Sequence, residues 1–128
     1  MFNNVYKNKK VLVTGHTGFK GSWLTTWLLN LGANVAGYSI DVPTQPSHFD
    51  ELKLEDKIHH IYGDIRDYNN FMKVCEDFKP EFIFHLAAQP LVRESYESPR
   101  KTFEVNTMGT LNVLEVIRQL NHIVKVGV

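Results

Sequence analysis

Three glycines at equal spacing, Gly15, Gly18 and Gly21, separate a short β-branched run from a helical pattern. The run, Val11–Val13, has the composition of a buried parallel strand. In this context the first glycine permits a sharp turn, the second lets backbone N–H groups approach a pyrophosphate, and the third lets the helix pack closely on the strand. The helix N-terminus adds partial positive charge. Such glycines can be purely structural, and the standard spacing is G-x-G-x-x-G, but both flanks favour a dinucleotide site.

Apolar strand-like runs alternate with helical patterns along the chain. The predicted strands are Val11–Thr14, Val35–Ile40, Ile58–Tyr62, Glu81–His85 and Ile123–Val128. The predicted helices run from Gly18 to Leu31, from the N-cap Asp67 to a residue before Pro80, and from Ser98 to Leu120, with a short one near His48–Leu52 in the surface segment Val42–Asp56. The alternation predicts the α/β class: a doubly wound, Rossmann-like parallel sheet in the order 3-2-1-4-5, with its ligand at the carboxyl ends of the strands.

Two of the predicted helices carry distinctive apolar patterns. The first has an apolar stripe at helical spacing, formed by Phe19, Trp23, Trp27 and Leu28. The longest, Ser98–Leu120, is apolar over so wide an arc that it must be covered on two sides. An uncovered helix face and an edge strand both favour self-association. We therefore expect a homo-oligomer that pairs through the long helix, the last strand, or both.

Composition and charge exclude several classes of function. The 128 residues suit one globular domain, and fourteen basic side chains balance fourteen acidic ones, so no net field favours nucleic acid or an anionic membrane. The single cysteine, Cys75, excludes an internal disulfide and gives no zinc pattern. The polar, basic stretch Met1–Lys10 does not resemble a signal peptide, and the most apolar helix is too short to span a bilayer. We expect a cytoplasmic protein.

Acidic residues follow the second and third predicted strands. Asp41 ends the second strand, where an acid hydrogen-bonds the adenosine ribose hydroxyls and repels a 2′-phosphate, which favours NAD over NADP. Its alternative role is that of a turn aspartate before Val42-Pro43. After the third strand, Asp64 could accept from the adenine amino group and Ile65 could cover the adenine face. The alternative for both is an ordinary strand-end turn.

Small residues follow the fourth predicted strand. Ala87 and Ala88 could form a wall against a flat ligand, although tight helix–strand packing also favours alanine. The next stretch, Pro90–Tyr96, is predicted to be a loop whose guanidinium, hydroxyls and aromatic ring suit a polar ligand, or an exposed loop without a role.

The histidines give no metal site. His16 lies inside the glycine loop and could contact phosphate. His59 and His60 are adjacent, so in a strand they point to opposite faces. His48 and His122 have no companions in the sequence, and these four are interpreted as structural.

Four stretches carry a family signature: Thr14–Gly21, Asp64-Ile65, His85–Ala88 and Val105–Glu115. With them the chain resembles the extended short-chain dehydrogenase/reductase family of nucleotide-sugar epimerases and dehydratases. The more specific stretches, Gly15–Trp23 and Ala87–Tyr96, most resemble the branch that dehydrates CDP-glucose. The resemblance implies bound NAD, a CDP-glucose substrate and a role in making deoxysugar precursors of bacterial surface polysaccharide. The cofactor-binding residues expected from the pattern and the resemblance together are Gly15, His16, Thr17, Gly18, Phe19, Lys20, Gly21, Asp41, Asp64, Ile65, Leu86, Ala87, Ala88, Gln89 and Val105.

The catalytic signature of that family lies beyond the fifth strand, where a hydroxyl residue and a Tyr-x-x-x-Lys pair carry the proton transfer. The only such spacing here joins Tyr6 to Lys10, before the first strand, and is interpreted as chance. No catalytic residue is therefore predicted, and residues 1–128 are expected to be an incomplete NAD-binding domain, inactive alone. Two alternatives stay open: the NAD-binding part of another nucleotide-sugar epimerase or reductase, and a non-catalytic NAD-binding module.

Overall fold

Five parallel strands form one sheet in the order β3-β2-β1-β4-β5, as predicted from the sequence. The computed structural model describes residues 1–128. The strands are β1 (Lys10–Thr14), β2 (Asn34–Ser39), β3 (His59–Tyr62), β4 (Phe82–His85) and β5 (Lys125–Gly127). The helices are α1 (Phe19–Asn30), α2 (His48–Glu51), α3 (Tyr68–Phe78), α4 (Val92–Glu97), α5 (Pro99–Phe103) and α6 (Gly109–Gln119). A π-helical turn, Glu104–Met108, joins α5 to α6, and short 3₁₀ turns occupy Phe2–Asn4 and Leu54–Asp56.

Strand β1 lies at the centre because its β-branched run can be buried on both faces. Val11, Leu12 and Val13 are completely buried. The last residue of β1, Thr14, is in register with Tyr38 on one side and His85 on the other. The carboxyl ends of three strands therefore meet at one edge of the sheet, and the candidate site lies there.

The core has two parts, one on each face of the sheet. On one face, α3 and α6 cover the sheet with a cluster of nine buried residues: Leu12, Ala36, Tyr38, Ile65, Phe71, Cys75, Ile83, Val113 and Val116. On the other face, α1 contributes to a smaller cluster of five: Val11, Val13, Leu28, Ala33 and Val35. The side chain of Asp67 accepts a hydrogen bond from the Asn70 N–H at the start of α3, which confirms it as the N-cap.

Most of the apolar stripe of α1 lies on the exposed side of the helix. Phe19 is 74% exposed, Trp23 52% and Trp27 48%. The buried residues of the helix are Gly21, Ser22, Thr25 and Leu28. Small residues face the sheet because the helix approaches the glycine loop so closely that a Cβ at Gly21 would overlap the Gly15 carbonyl oxygen. Close packing, not apolar character, decides which side of α1 faces inward.

Three further element predictions need correction. The long helix contains the π-helical turn Glu104–Met108, so the single regular helix Ser98–Leu120 is wrong in detail, and the Ser98 side chain does not cap it. The stretch Pro90–Tyr96 is not simply a loop, because Val92–Glu97 forms α4. The last strand covers only Lys125–Gly127.

The segment after β2 contains the predicted short helix, observed as α2. Its N-cap is Ser47, whose side chain accepts from the Asp50 N–H. Phe49 and Leu54 are each 1% exposed, so parts of this segment belong to the core although it was expected to be a surface excursion. No helix of the protein has both the length and the apolar composition needed to cross a membrane.

Candidate cofactor site

The three glycines of the loop differ in the space around them. Gly15 has a φ of +73°, and a Cβ there would lie 2.8 Å from the Ala87 nitrogen. A Cβ at Gly21 would overlap the Gly15 carbonyl. At Gly18, by contrast, the nearest atom to an added Cβ is the Gly15 oxygen at 3.4 Å, an ordinary contact. Packing within the protein therefore requires Gly15 and Gly21, whereas Gly18 is free of such a requirement and borders open space.

The N-terminus of α1 has no acceptor within the protein. Gly18 is the N-cap and supplies no side-chain hydrogen bond, and the first turn contains no acidic residue. The N–H groups of Phe19, Lys20 and Gly21 donate to no protein atom. Unsatisfied donors and the helix dipole favour an anion at this point, and the missing side chain of Gly18 leaves room for one.

The Thr14 hydroxyl connects β1 to the loop after β4. Its oxygen accepts hydrogen bonds from the N–H groups of Leu86 and Ala87, both at 3.1 Å. The same oxygen lies 2.6 Å from Nδ1 of His85. With both acceptor positions used, the hydroxyl proton is directed at His85. Thr14 therefore fixes the backbone of two residues predicted to border the cofactor.

His85 continues this hydrogen-bond chain towards the long helix. Its Nε2 lies 3.1 Å from Oγ1 of Thr110, and the Thr110 hydroxyl donates to the Asn106 carbonyl at 2.7 Å. His85 is therefore assigned as the neutral tautomer with its proton on Nε2, because Nδ1 accepts from Thr14. Burial lowers the pKa of His85, in agreement with a neutral ring.

Gln89 is held by a side-chain amide in the π-helical turn. Asn106 accepts from the Gln89 N–H at 2.7 Å and donates to the Gln89 carbonyl at 3.1 Å. The Gln89 side chain bonds the N–H and carbonyl of Leu91 and the hydroxyl of Thr102. Gln89 is buried, so its amide holds the loop from inside, although it was predicted to bind cofactor.

Asp41 lies two residues beyond the end of β2. The residue is exposed, and its carboxylate has no hydrogen bond or ion pair within the protein. Its carbonyl accepts from the hydroxyl of Thr17, and the hydroxyl oxygen of Ser39 lies 3.2 Å from the same carbonyl oxygen. The carboxylate is thus available to a ligand, whereas the Thr17 side chain, expected to contact cofactor, points to the end of β2.

Asp64 and Ile65 have partners inside the protein. The Asp64 carboxylate forms an ion pair with Arg66 at 2.7 Å, and these hydrogen bonds lower the pKa of Asp64. Ile65 is 5% exposed and belongs to the core beside Gly109. The idea that Ile65 covers an adenine face needs correction, because little of its side chain is accessible. Asp64 can accept from a ligand only by sharing its carboxylate with Arg66.

The imidazole of His16 points away from the open side of the loop. It is completely buried, and its Nε2 lies 2.7 Å from Nδ1 of His60. Its ring also packs against Phe49. Burial, with the neighbouring His60, lowers the pKa of His16 to about 4. Contact between this side chain and phosphate, expected from the sequence, is therefore wrong, and only the His16 backbone remains for a ligand.

Two other histidines have partners that the sequence did not indicate. His48 stacks on Trp23 with ring centroids 4.4 Å apart, and its Nδ1 lies 2.8 Å from Oγ of Ser22. His122 bonds the Pro80 carbonyl at 2.8 Å. These contacts agree with the interpretation of both histidines as structural, although each of them has a hydrogen-bond partner that is distant in the sequence.

The remaining predicted residues lie around the same edge without a common contact. Phe19 and Lys20 are exposed at the start of α1, and Ala88 is exposed in the loop after β4. Lys20 and Leu86 border a cleft of about 520 Å³ along the outer side of α1. Val105 is half-buried in the π-helical turn and packs against the larger core cluster.

Four hydrogen-bonding residues of the site were not predicted to have a role there. They are Thr14, Ser39, Asn106 and Thr110, which fix the loops by bonding to backbone and imidazole groups. Thr14 and Ser39 are the last residues of their strands, so a polar side chain at a strand's carboxyl end was the available signal. Asn106 and Thr110 lie in the family-signature stretch Val105–Glu115, but no local pattern indicated that they bond to Gln89 and His85, which are distant in the sequence.

Comparison with known proteins identifies similar sequences and folds. The model of a family described as GDP-mannose 4,6 dehydratase matches residues 12–127. CDP-glucose 4,6-dehydratase of Salmonella typhimurium is 51% identical over 120 residues, which are 94% of this chain and 33% of that protein. GDP-mannose 4,6-dehydratase of Vibrio cholerae is 38% identical over 122 residues, covering 88% of this chain and 32% of the relative. The chain thus spans about one third of the length of these relatives.

A solved structure agrees with this result. UDP-glucose 4-epimerase of Thermus thermophilus, in complex with NAD, superposes with a TM-score of 0.76 at 34% identity. The match covers 86% of this chain and 34% of that one. The expected resemblance to nucleotide-sugar dehydratases and epimerases is confirmed, as is the Rossmann-like fold.

Proposed function

Because this chain belongs to the GDP-mannose 4,6 dehydratase family, we propose that residues 1–128 are the NAD-binding part of a nucleotide-sugar dehydratase that acts on CDP-glucose. The observation that carries the proposal is the open N-terminus of α1 at Gly18, where unsatisfied N–H groups border free space. The 51% identity to a CDP-glucose 4,6-dehydratase supports this substrate over other sugar nucleotides.

The residues at this edge fit a dinucleotide. The backbone N–H groups beside Gly18 would bind the pyrophosphate, and the free carboxylate of Asp41 would accept from the ribose hydroxyls. The backbone of Ala87 and Ala88 would border the cofactor, held in place by Thr14. When bound, NAD supplies a reversible hydride acceptor. The part played by this chain is to bind and orient that cofactor.

Catalytic proton transfer is not assigned to any residue of this chain. Tyr6, of the only Tyr-x-x-x-Lys spacing, lies before β1, and its ring packs against Phe82 and Phe84 of β4. We therefore propose that these 128 residues do not complete the dehydration alone, since a positioned base contributes typically about 10²- to 10⁴-fold. Incubation with NAD and CDP-glucose should give no 4-keto-6-deoxy product.

Calorimetric titration with NAD tests the binding proposal. The unmodified protein should bind NAD, and Gly18→Val should weaken binding at least about 100-fold, because its side chain occupies the space where pyrophosphate meets the backbone. The matched control is Asn30→Val, which places the valine side chain at an exposed position in the last turn of α1 instead. Equal binding by the folded Gly18→Val variant would contradict the proposal.

A second candidate function is NAD binding for a nucleotide-sugar epimerase. The structural similarity to the UDP-glucose 4-epimerase of Thermus thermophilus favours it. The higher identity to the CDP-glucose 4,6-dehydratase ranks it second.

We also propose a cytoplasmic homo-oligomer. The long helix exposes Phe103, Leu111 and Leu114, and β5 is an edge strand of the sheet. Exposed apolar side chains and an unpaired strand edge favour association between copies. Light scattering at increasing protein concentration measures this association, and a mass of 14.8 kDa at every concentration would contradict the proposed oligomer.

A further inference from the structure

The segment from Ile40 to Pro46 has one backbone attachment to the rest of the protein. Within it, the Asp41 carbonyl is the only main-chain group that takes part in a hydrogen bond. The donor is the hydroxyl of Thr17 in the glycine loop, and the hydroxyl oxygen of Ser39, at the end of β2, lies 3.2 Å from the same carbonyl oxygen. The position of the exposed Asp41 therefore depends on these two side chains.

The two hydroxyls form a short, buried hydrogen-bond chain. Thr17 Oγ1 lies 2.7 Å from Ser39 Oγ, and Ser39 Oγ lies 3.2 Å from the Asp41 oxygen. The consistent assignment is that Ser39 donates to Thr17, which donates to Asp41. Thr17 is 3% exposed and Ser39 8% exposed, so water cannot easily replace either partner.

We propose that Thr17 and Ser39 are positioning residues that set the preference for NAD over NADP by fixing Asp41 beside the glycine loop. The inference rests on the proposed function, since it concerns the same cofactor. A carboxylate held in place repels a 2′-phosphate, whereas a carboxylate on an untethered segment can move away from it. Because Thr17 belongs to the glycine loop, the pyrophosphate site and the acid are also tied together.

The test compares the dissociation constants of NAD and NADP by calorimetry. Asp41→Asn should remove most of the preference of the unmodified protein for NAD. Thr17→Val, nearly equal in shape but without the hydroxyl, should reduce that preference about threefold to tenfold. Thr17→Ser keeps the hydroxyl and should keep the preference. Ser39→Ala, a smaller change, should act in the same direction as Thr17→Val.

The ratio of the two dissociation constants separates positioning from general stability. If Thr17 has a purely structural role, Thr17→Val should weaken the binding of NAD and NADP by the same factor and leave the ratio of their dissociation constants unchanged. That result would overturn the inference but not the proposal that the protein binds NAD. Failure of the unmodified protein to bind either cofactor would instead overturn the proposed function, and the inference with it. If Thr17→Val does not fold by circular dichroism, the ratio for Ser39→Ala decides.

Discussion

The glycine loop and the loop after β4 lie side by side at one edge of the sheet but are held by opposite means. In the glycine loop, missing side chains allow close approach: Gly21 packs under Gly15, and Gly15 packs against the backbone of Ala87. In the loop after β4, added side chains satisfy the backbone, since Thr14 and Asn106 accept from its N–H groups. One loop depends on the absence of atoms, and the other on hydrogen-bond partners supplied by β1 and the π-helical turn.

The difference has consequences for tolerance to change and for function. A single added methyl at a required glycine overlaps backbone atoms, which cannot move without shifting a strand or helix. A lost hydrogen bond leaves a polar group unsatisfied, which the loop can partly relieve by admitting water. A single substitution at a required glycine should therefore cause a large loss of stability, whereas loss of one hydrogen bond in the loop after β4 should cause a smaller one.

The largest effect is expected for Gly21→Ala. Its Cβ would overlap the Gly15 carbonyl oxygen, so we expect a loss of about 3 kcal/mol in the free energy of unfolding, measured with urea. The matched control is Gly18→Ala, whose Cβ makes only an ordinary contact and should cost about 1 kcal/mol or less. Equal losses for the two variants would remove the distinction between a glycine required by packing and one adjacent to open space.

The second-largest effect is expected when the pH is lowered, because protonation of the buried His16 in the glycine loop should destabilise the folded protein. The pKa of His16 is lowered to about 4 by burial and by His60, so between pH 6.5 and 4 the unfolded chain binds more protons than the folded one. Stability should therefore fall as the pH decreases through this window, by about 2 kcal/mol from pH 7 to pH 5 for this group. Urea unfolding at both pH values measures the change.

Two variants test whether His16 causes this dependence of stability on pH. His16→Gln removes the buried imidazole and should reduce the difference in stability between pH 7 and pH 5. His59→Gln changes an exposed imidazole, adjacent to His60 in sequence, and should leave that difference unaltered. His85 also has a pKa lowered by burial, so part of the acid sensitivity should persist in His16→Gln. An NMR titration of His16 with a midpoint near 6.5 would refute the assignment.

The smallest effect is expected for Asn106→Ala in the loop after β4. It removes both hydrogen bonds to the Gln89 backbone and should cost about 1 to 2 kcal/mol. Hydrogen exchange should show faster exchange of the Gln89 amide, with the amide of Leu12 in β1 unaffected. Thr107→Ala, an exposed neighbour in the same π-helical turn, is the control. A loss as large as that of Gly21→Ala would show that both loops fail in the same way.

Much of the fold could be predicted because local patterns report it directly. Alternating strands and helices gave the sheet order, and Gly32, with a φ of +81°, follows the end of α1 as expected. The sequence pattern could not predict that most of the apolar stripe of α1 is exposed. Apolar spacing at Phe19, Trp23 and Trp27 indicates a helix but not which side meets the sheet, which close contact with the glycine loop decides.

The strand–glycine–helix unit and the acid after β2 could be identified from local pattern, because a missing side chain and a fixed spacing act between neighbours in the chain. By contrast, the contacts of His16 with His60, of Thr17 with Asp41 and of Asn106 with Gln89 form only in the packed protein. The partners in these contacts are separated by 44, 24 and 17 positions. Side-chain hydrogen bonds require angstrom-level placement of both partners, which exists only once the sheet and its helices have packed.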